Sequence, residues 1–254
     1  MKLLSTTALM RCFLALSFVS VASCAQAQSD GVSDLSKAQV EKIVKDYLLE
    51  NPEIVRDALI ELQVRQELGA EQETKDVIAS MADPIYKDPR DASIGPDDAK
   101  VTIVEFFDYN CGFCKRSTQW LKIAIDEHPK DLRVVFKELP VLEHKTQTSR
   151  NAAKAALAAR RQGKYKEMHF ALMEGRGLTA ERVRDMAEEA GLDMAQFDKD
   201  MLDADFDRHI DDNLDLAARI PALTGTPFFV IGDDYVSGAN TEALDDMLKA
   251  ALKS

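Results

Sequence analysis

Val101-Thr102-Ile103-Val104-Glu105-Phe106-Phe107-Asp108-Tyr109-Asn110-Cys111-Gly112-Phe113-Cys114-Lys115 is the stretch that decides how this chain is read. Val101 to Phe107 is almost continuously apolar, the pattern of a strand covered on both faces of a sheet. A helix follows from Lys115 to Glu127, with Trp120, Leu121 and Ile123 to Ile125 as its apolar side. Leu132 to Phe136 is the next strand. Strand, helix and strand at this spacing make a βαβ unit, so the expected class is α/β. Cys111 and Cys114 stand at the junction of the first strand and the helix.

That position has chemical consequences. A cysteine at a helix N-terminus meets unpaired backbone N–H groups and the positive end of the dipole, so its thiolate is stabilised. A second thiol three positions on lies within disulfide reach. The first thiolate attacks, and its neighbour resolves the mixed disulfide. Three other readings compete. Zinc would need two of His128, His144, His169 and His209, and none has ligand-like spacing to the pair. A c-type haem motif needs His where Lys115 stands. A merely structural disulfide would close a tiny loop and contribute little. The expectation is a redox pair with no metal and no cofactor.

Two further residues draw notice. Glu105 is a carboxyl in an otherwise apolar strand, costly to bury unless it has a use. It is the candidate proton acceptor and donor for Cys114, unless the strand is an edge and the side chain faces water. Asp108 is the other candidate, nearer the loop. Pro227 opens the apolar run Phe228 to Ile231, where it removes a backbone donor. Spacing leaves Thr226–Pro227 open between cis and trans. In the cis form it would face the cysteines and free the Thr226 backbone to pair with an extended peptide.

The rest of the chain arranges itself around this unit. Among 254 residues, 46% are hydrophobic and 30% charged, which describes a folded protein and not a disordered acidic tail. The net charge of -12 and the lack of any Lys/Arg run disfavour a nucleic-acid partner. Residues 1–27 read as a secretory signal, with Lys2 before an apolar run and Ala25-Gln26-Ala27 as its cleavage site. Val21-Ala22-Ser23-Cys24 is the competing lipoprotein reading, with Cys24 lipidated. Either way the mature chain is more acidic; cleavage after Ala27 leaves only Cys111 and Cys114, whereas the lipoprotein reading keeps Cys24 as the lipidated first residue.

Residues 28–80 read as an N-terminal helical extension. Ser36 and Gln39 form a capping box before one apolar stripe, Val40 to Leu48. Asn51-Pro52 restarts the helix, and Ile54, Val55, Ala58, Leu59 and Leu62 form a second stripe. The pattern then thins into exposed helix or linker. Neither stripe makes a core by itself, so it packs on the main domain or on copies of itself, the second being the preferred reading. Residues 81–254 form the main domain. Its start is loop-like, with a short edge strand near Ile85-Tyr86. Residues of about 143–220 read as a helical insert, with Thr179 capping one helix that Gly191 ends. A hairpin around Gly232-Asp233-Asp234 and a last helix capped by Thr241 complete it.

The quoted stretch, together with Thr224-Gly225-Thr226-Pro227-Phe228-Phe229-Val230-Ile231-Gly232, resembles the DsbA-like branch of the thioredoxin superfamily, exported thiol-disulfide oxidoreductases. The resemblance implies a thioredoxin fold carrying a helical insert. It implies Cys111 as nucleophile, Cys114 as resolving thiol, Glu105 as buried acid and Pro227 as a cis proline beside them. Thr226, Phe113, Tyr109 and Gly112 are the expected substrate contacts. Gly112-Phe113 and Thr226 are more similar to isomerase-like members than to strong oxidants. Val44 to Glu53 resembles the N-terminal extension of the ScsC (suppressor of copper sensitivity C) group, some of which assemble as trimers and reshuffle disulfides.

The function these readings imply is isomerising or forming disulfides in exported proteins. Its partners would be unfolded or misfolded cysteine-containing chains and a membrane redox protein, its state a homo-oligomer with a trimer favoured, its place the periplasm. The alternatives are a purely oxidising enzyme, a holdase gripping unfolded chains through Phe113, Tyr109 and Phe228, or a copper-handling protein whose thiol pair holds Cu(I).

Overall fold

The structure is a computed structural model that describes residues 35–146 and 148–253. The signal segment and Cys24 lie outside the described residues. The chain divides into two units, residues 1–58 and 59–254.

In the first unit, α1 (Lys37–Glu50) starts where the Ser36 backbone N–H donates to Gln39 Oε1 at 2.9 Å, as the capping box requires. None of its residues is buried, and Val40, Ile43, Val44, Tyr47 and Leu49 are 43–70% exposed. The Asn51 side chain turns back to donate to the Tyr47 carbonyl at 2.8 Å, so it closes α1 as well as preceding α2 (Pro52–Ser80).

Helix α2 does not thin into a linker after Leu62. Four-residue pairs carry it through the polar stretch: Arg65 with Glu61, Gln63 with Glu67, Lys75 with Glu71 and Gln72 with Asp76. Its end joins the core of the second unit, where Thr74 and Ile78 are buried. An extension drawn to residue 80 therefore includes residues the second unit needs. Ile85 and Tyr86 belong to α3 (Ala82–Tyr86), not to a strand; a two-residue apolar pair fits either, and here Ile85 turns wholly into the core. The edge strand is β1 (Ala92–Ile94) instead.

The sheet order is β1-β3-β2-β4-β5, with β2 (Val101–Phe107), β3 (Leu132–Glu138), β4 (Phe228–Ile231) and β5 (Asp234–Ser237). Strands β2 and β3 are parallel across the crossover helix α4 (Gly112–Glu127), and every other pairing is antiparallel. Successive side chains alternate between the faces. Ile103, Phe107, Phe136 and Phe229 enter the core shared with α4, the insert and α10 (Thr241–Lys253); Val104, Phe106, Val135 and Phe228 enter the core shared with Ile78, Ile85 and Ile220. Each fully buried Phe contributes on the order of 2–3 kcal/mol. Helix α10 is capped one residue earlier than expected, by Asn240 Oδ1 accepting from the Ala243 N–H at 3.2 Å.

The insert comprises α5 (Thr148–Arg161), α6 (Tyr165–Glu174), α7 (Ala180–Glu189), α8 (Met194–Asp200) and α9 (Ala204–Ala218). Alanines at 152, 153, 155, 156, 158 and 159 of α5 are all buried, and their small size lets the other four helices contact it. Thr179 caps α7 through the Arg182 N–H, and Gly191 ends it at φ +77°.

Candidate active site

Cys111 is the N-cap of α4, and its own carbonyl accepts from the Lys115 N–H at 3.1 Å. It is 7% exposed, while Cys114 is wholly buried beneath it. Both are free thiols. In its thiol form Cys111 Sγ donates to the Thr226 carbonyl at 3.2 Å. Its thiolate is favoured first by a hydrogen bond from the Cys114 thiol, then by the Thr226 side chain and the N–H groups of Cys114 and Phe113. Against the opposing effect of burial, these pull it down to about 5. Cys114 is driven the other way, by burial above all, then by its bond to Cys111 and by the charge of Glu105. One sulfur is therefore ionised at neutral pH and its neighbour keeps its proton.

Glu105 sits on the central strand, on the α4 side of the sheet, wholly buried. The solvent-facing edge reading fails for that reason. Neither of its oxygens has a hydrogen-bond partner among the described residues. Burial, then the charge on Cys111, pushes it up to about 8. Burial raises Asp108 as well, but both of its oxygens are already engaged. Its Oδ1 accepts from the Asn110 N–H at 2.7 Å and the Ser149 hydroxyl at 2.9 Å, and its Oδ2 from the Leu142 N–H at 2.9 Å. Those bonds make it a brace for the loop that delivers Cys111.

The Thr226–Pro227 peptide bond is cis, which sets the Thr226 carbonyl against Cys111. Phe113 is 56% exposed beside the pair, and Gly112 has open space where a Cβ would stand. Tyr109 is a correction. It was expected on the substrate face, yet it is 1% exposed, and Phe228 is wholly buried. Alternation along the chain turns Tyr109 inward, where its hydroxyl donates to Glu138 Oε1 at 3.1 Å and lies 3.0 Å from His169 Nδ1. Tyr165 donates to the same Glu138 oxygen at 2.9 Å. In this cluster burial raises the Glu138 carboxyl, and it pushes His169 down to about 3, so the imidazole is uncharged at pH 7. The cluster fastens the segment before Cys111 to α6 and to the end of β3.

Sequence reasoning also missed Lys115. Its ammonium donates to the carbonyls of Leu172 at 2.9 Å, Met173 at 3.2 Å and Gly175 at 2.6 Å, closing the C-terminus of α6. The motif helix is thus tied to the insert by a cation close to both sulfurs. Its place directly after Cys114 was the only signal. Among the described residues no group of three or more His, Cys, Asp and Glu side chains is arranged to hold a metal ion, and no helix is long and apolar enough to cross a membrane.

Residues 102–251 match the model of the DSBA-like thioredoxin domain, and residues 37–67 that of the copper resistance protein ScsC N-terminal domain. A thioredoxin-like oxidoreductase from Silicibacter pomeroyi DSS-3 is 38% identical, over 68% of this chain and 98% of its own, with a TM-score of 0.61. ScsC of Proteus mirabilis in a transitional conformation is 31% identical, over 86% of this chain and 97% of its own, with a TM-score of 0.62. A Na(+)/H(+) antiporter NhaA 3 of Salinispora tropica is 30% identical over 76% of this chain, which spans 28% of that protein's length.

Proposed function

The chain belongs to the DSBA-like thioredoxin domain family, and from that premise we propose that it is a periplasmic thiol-disulfide oxidoreductase that rearranges disulfides in exported proteins. The observation that carries the proposal is a Cys111 thiolate at the cap of α4 with a protonated Cys114 directly beneath. The reduced pair attacks a substrate disulfide through Cys111: a new S–S bond forms, the old one breaks, and the substrate's second sulfur leaves as thiolate. In isomerisation that thiolate attacks elsewhere in the substrate and finally displaces Cys111. If it does not, Cys114 gives up its proton and displaces the substrate, which leaves reduced while the pair leaves oxidised. A membrane redox partner would then reset the pair. Residues 1–27, a secretory signal by sequence, support export.

The first unit supports isomerase work over plain oxidation. An apolar surface of Val40, Val44, Leu48 and Leu49 lines a hollow of about 530 Å³ on α1. A stripe so exposed favours self-association, a trimer by analogy with the ScsC group, and several active sites around one misfolded chain raise the local concentration of attacking thiolate. The holdase reading has less support, because Tyr109 and Phe228 are buried and Phe113 is left alone. The copper reading needs both sulfurs, and Cys114 has no exposure.

Deleting residues up to 80 would remove Ile78 from the core, so the test uses the full chain with Val44→Asp and Leu48→Asp. Native mass and reshuffling of a scrambled disulfide substrate are measured together. The expected result is a monomer that still oxidises simple dithiols but no longer reshuffles. A monomer with full reshuffling would sink the link between assembly and isomerisation.

A further inference from the structure

In a chain of net charge -12, two exposed arginines, Arg116 and Arg176, stand on segments that meet the cysteine motif. Arg116 lies two residues past Cys114 on α4, its guanidinium 4.3 Å from the centre of the exposed Phe113 ring. Arg176 follows Gly175, whose carbonyl holds Lys115, and is exposed in the turn that Gly177 makes at φ +59°. It stands near enough to Lys115 to oppose its charge. Neither arginine has a carboxylate partner among the described residues.

The carboxylates on neighbouring segments are already engaged. Glu174 pairs with Lys122 at 2.6 Å, Glu143 with Arg150 at 2.6 Å, and Asp108 is bonded to backbone and Ser149. Glu105 is buried out of reach. Two guanidinium groups with no carboxylate partner among the described residues therefore stand on the segments next to the motif, one held by stacking on the exposed Phe113 ring between the two cysteines.

We propose that Arg116 and Arg176 make this site select disulfides whose cysteines are flanked by acidic residues. The inference rests on the redox reading above and names its substrate class: acidic segments of exported polypeptides. A carboxylate beside a substrate disulfide repels an incoming thiolate and slows ordinary exchange. At this site it meets a guanidinium that can bind it with two hydrogen bonds, so the repulsion turns into attraction. The range is short, because salt screens charges beyond about 8–10 Å. Distant acidic residues of the chain therefore do not cancel the local effect. The exchange is the one already written: Cys111 thiolate bonds one peptide sulfur, the peptide S–S bond breaks, and the other sulfur leaves as thiolate. Cys114 then loses its proton, bonds Cys111 and releases the second peptide thiol. The peptide gains two electrons and the pair loses them.

The test uses the reduced full chain and three symmetrical peptide disulfides, identical except for Glu, Gln or Lys on each side of the cysteine. The second-order rate of thiol release is measured at low and high salt for the wild type, Arg116→Gln, Arg176→Gln and the double variant. The ratio of Glu to Lys peptide rates within one variant cancels any change in the thiolate fraction. The expected ratio is about tenfold at low salt, falling several-fold at high salt. Each single variant should lower it, and the double variant should bring it to one or below, as the unopposed repulsion returns. A wild-type ratio of one or less, or a ratio the double variant leaves unchanged, overturns the proposal. Equal exchange with all three peptides overturns this inference alone; exchange with none overturns the redox reading with it.

Discussion

Glu105→Gln is the sharpest perturbation of this site, because it keeps the side chain's shape and removes only its titration. The carboxyl is raised from an ordinary 4.5 to about 8, by burial first and the Cys111 charge second. The folded protein thus holds a proton that the unfolded chain releases above pH 4.5. The stability that this proton represents is complete below pH 4.5 and lost as pH rises towards 8. The slope within that window is about 1.4 kcal/mol per pH unit. Between pH 5 and pH 7 the wild type should therefore lose about 2.5 kcal/mol that the Gln variant does not. Cys111 works in the opposite sense, since its lowered thiol adds stability as pH rises above about 5, but it is present in both proteins. Comparing the two chains at each pH largely removes it. The assay is urea unfolding of the reduced proteins at several pH values from 5 to 7.5. Parallel stability curves would refute the claim that Glu105 is buried and protonated.

Three other outcomes follow from the geometry. Alkylation of the native reduced protein should modify Cys111 with a rate midpoint near pH 5 and spare Cys114, and a midpoint near that of an ordinary thiol would contradict the capping account. Lys115→Met removes three charge-assisted bonds to the end of α6, so it should cost about 2–3 kcal/mol in denaturant unfolding and raise the Cys111 alkylation midpoint; an unchanged midpoint would make Lys115 a cap only. Tyr109→Phe should destabilise the fold by about 1–2 kcal/mol and leave the Michaelis constant for peptide substrates unmoved, whereas a raised constant would return Tyr109 to the substrate face.

The second half of the chain was legible where one physical rule dominates. A strand buried on both faces must be continuously apolar, so β2 was plain and Glu105 stood out against it. Cysteine spacing set the N-cap of α4, and Gly191 the end of α7. The misreadings share a cause: the deciding partner is remote in sequence. Ile85 looked like strand because its packing against Val104 and Phe106 is invisible locally. Tyr109 looked exposed because its partners, Glu138, Tyr165 and His169, lie 29 to 60 residues away. The buried pair of Lys137 with Asp91 was unreadable for the same reason: a lone lysine in a strand says nothing of the loop that will cover it. The polar half of α2 was left open between exposed helix and linker, and it is exposed helix. Its support is a set of surface pairs four residues apart, each weak, which a search for apolar stripes passes over.

The two raised groups also set an order of events. While Cys111 is a thiolate, its charge helps hold the proton on Glu105, so the carboxyl is no base for Cys114. Forming a mixed disulfide removes that charge. The second cause of the Glu105 shift disappears, and its affinity for a proton falls just when Cys114 must surrender one to attack. If Glu105 is the base for Cys114, resolution is coupled to capture by electrostatics. The measurable consequence is that resolution of a preformed Cys111 mixed disulfide should speed up with pH at a midpoint below the value of about 8 that Glu105 shows in the reduced protein. In Glu105→Gln it should be slower by about a hundredfold and follow hydroxide instead. Resolution in the variant at the wild-type rate, with the same pH midpoint, would mean that Cys114 loses its proton directly to water and that the buried carboxyl is a bystander.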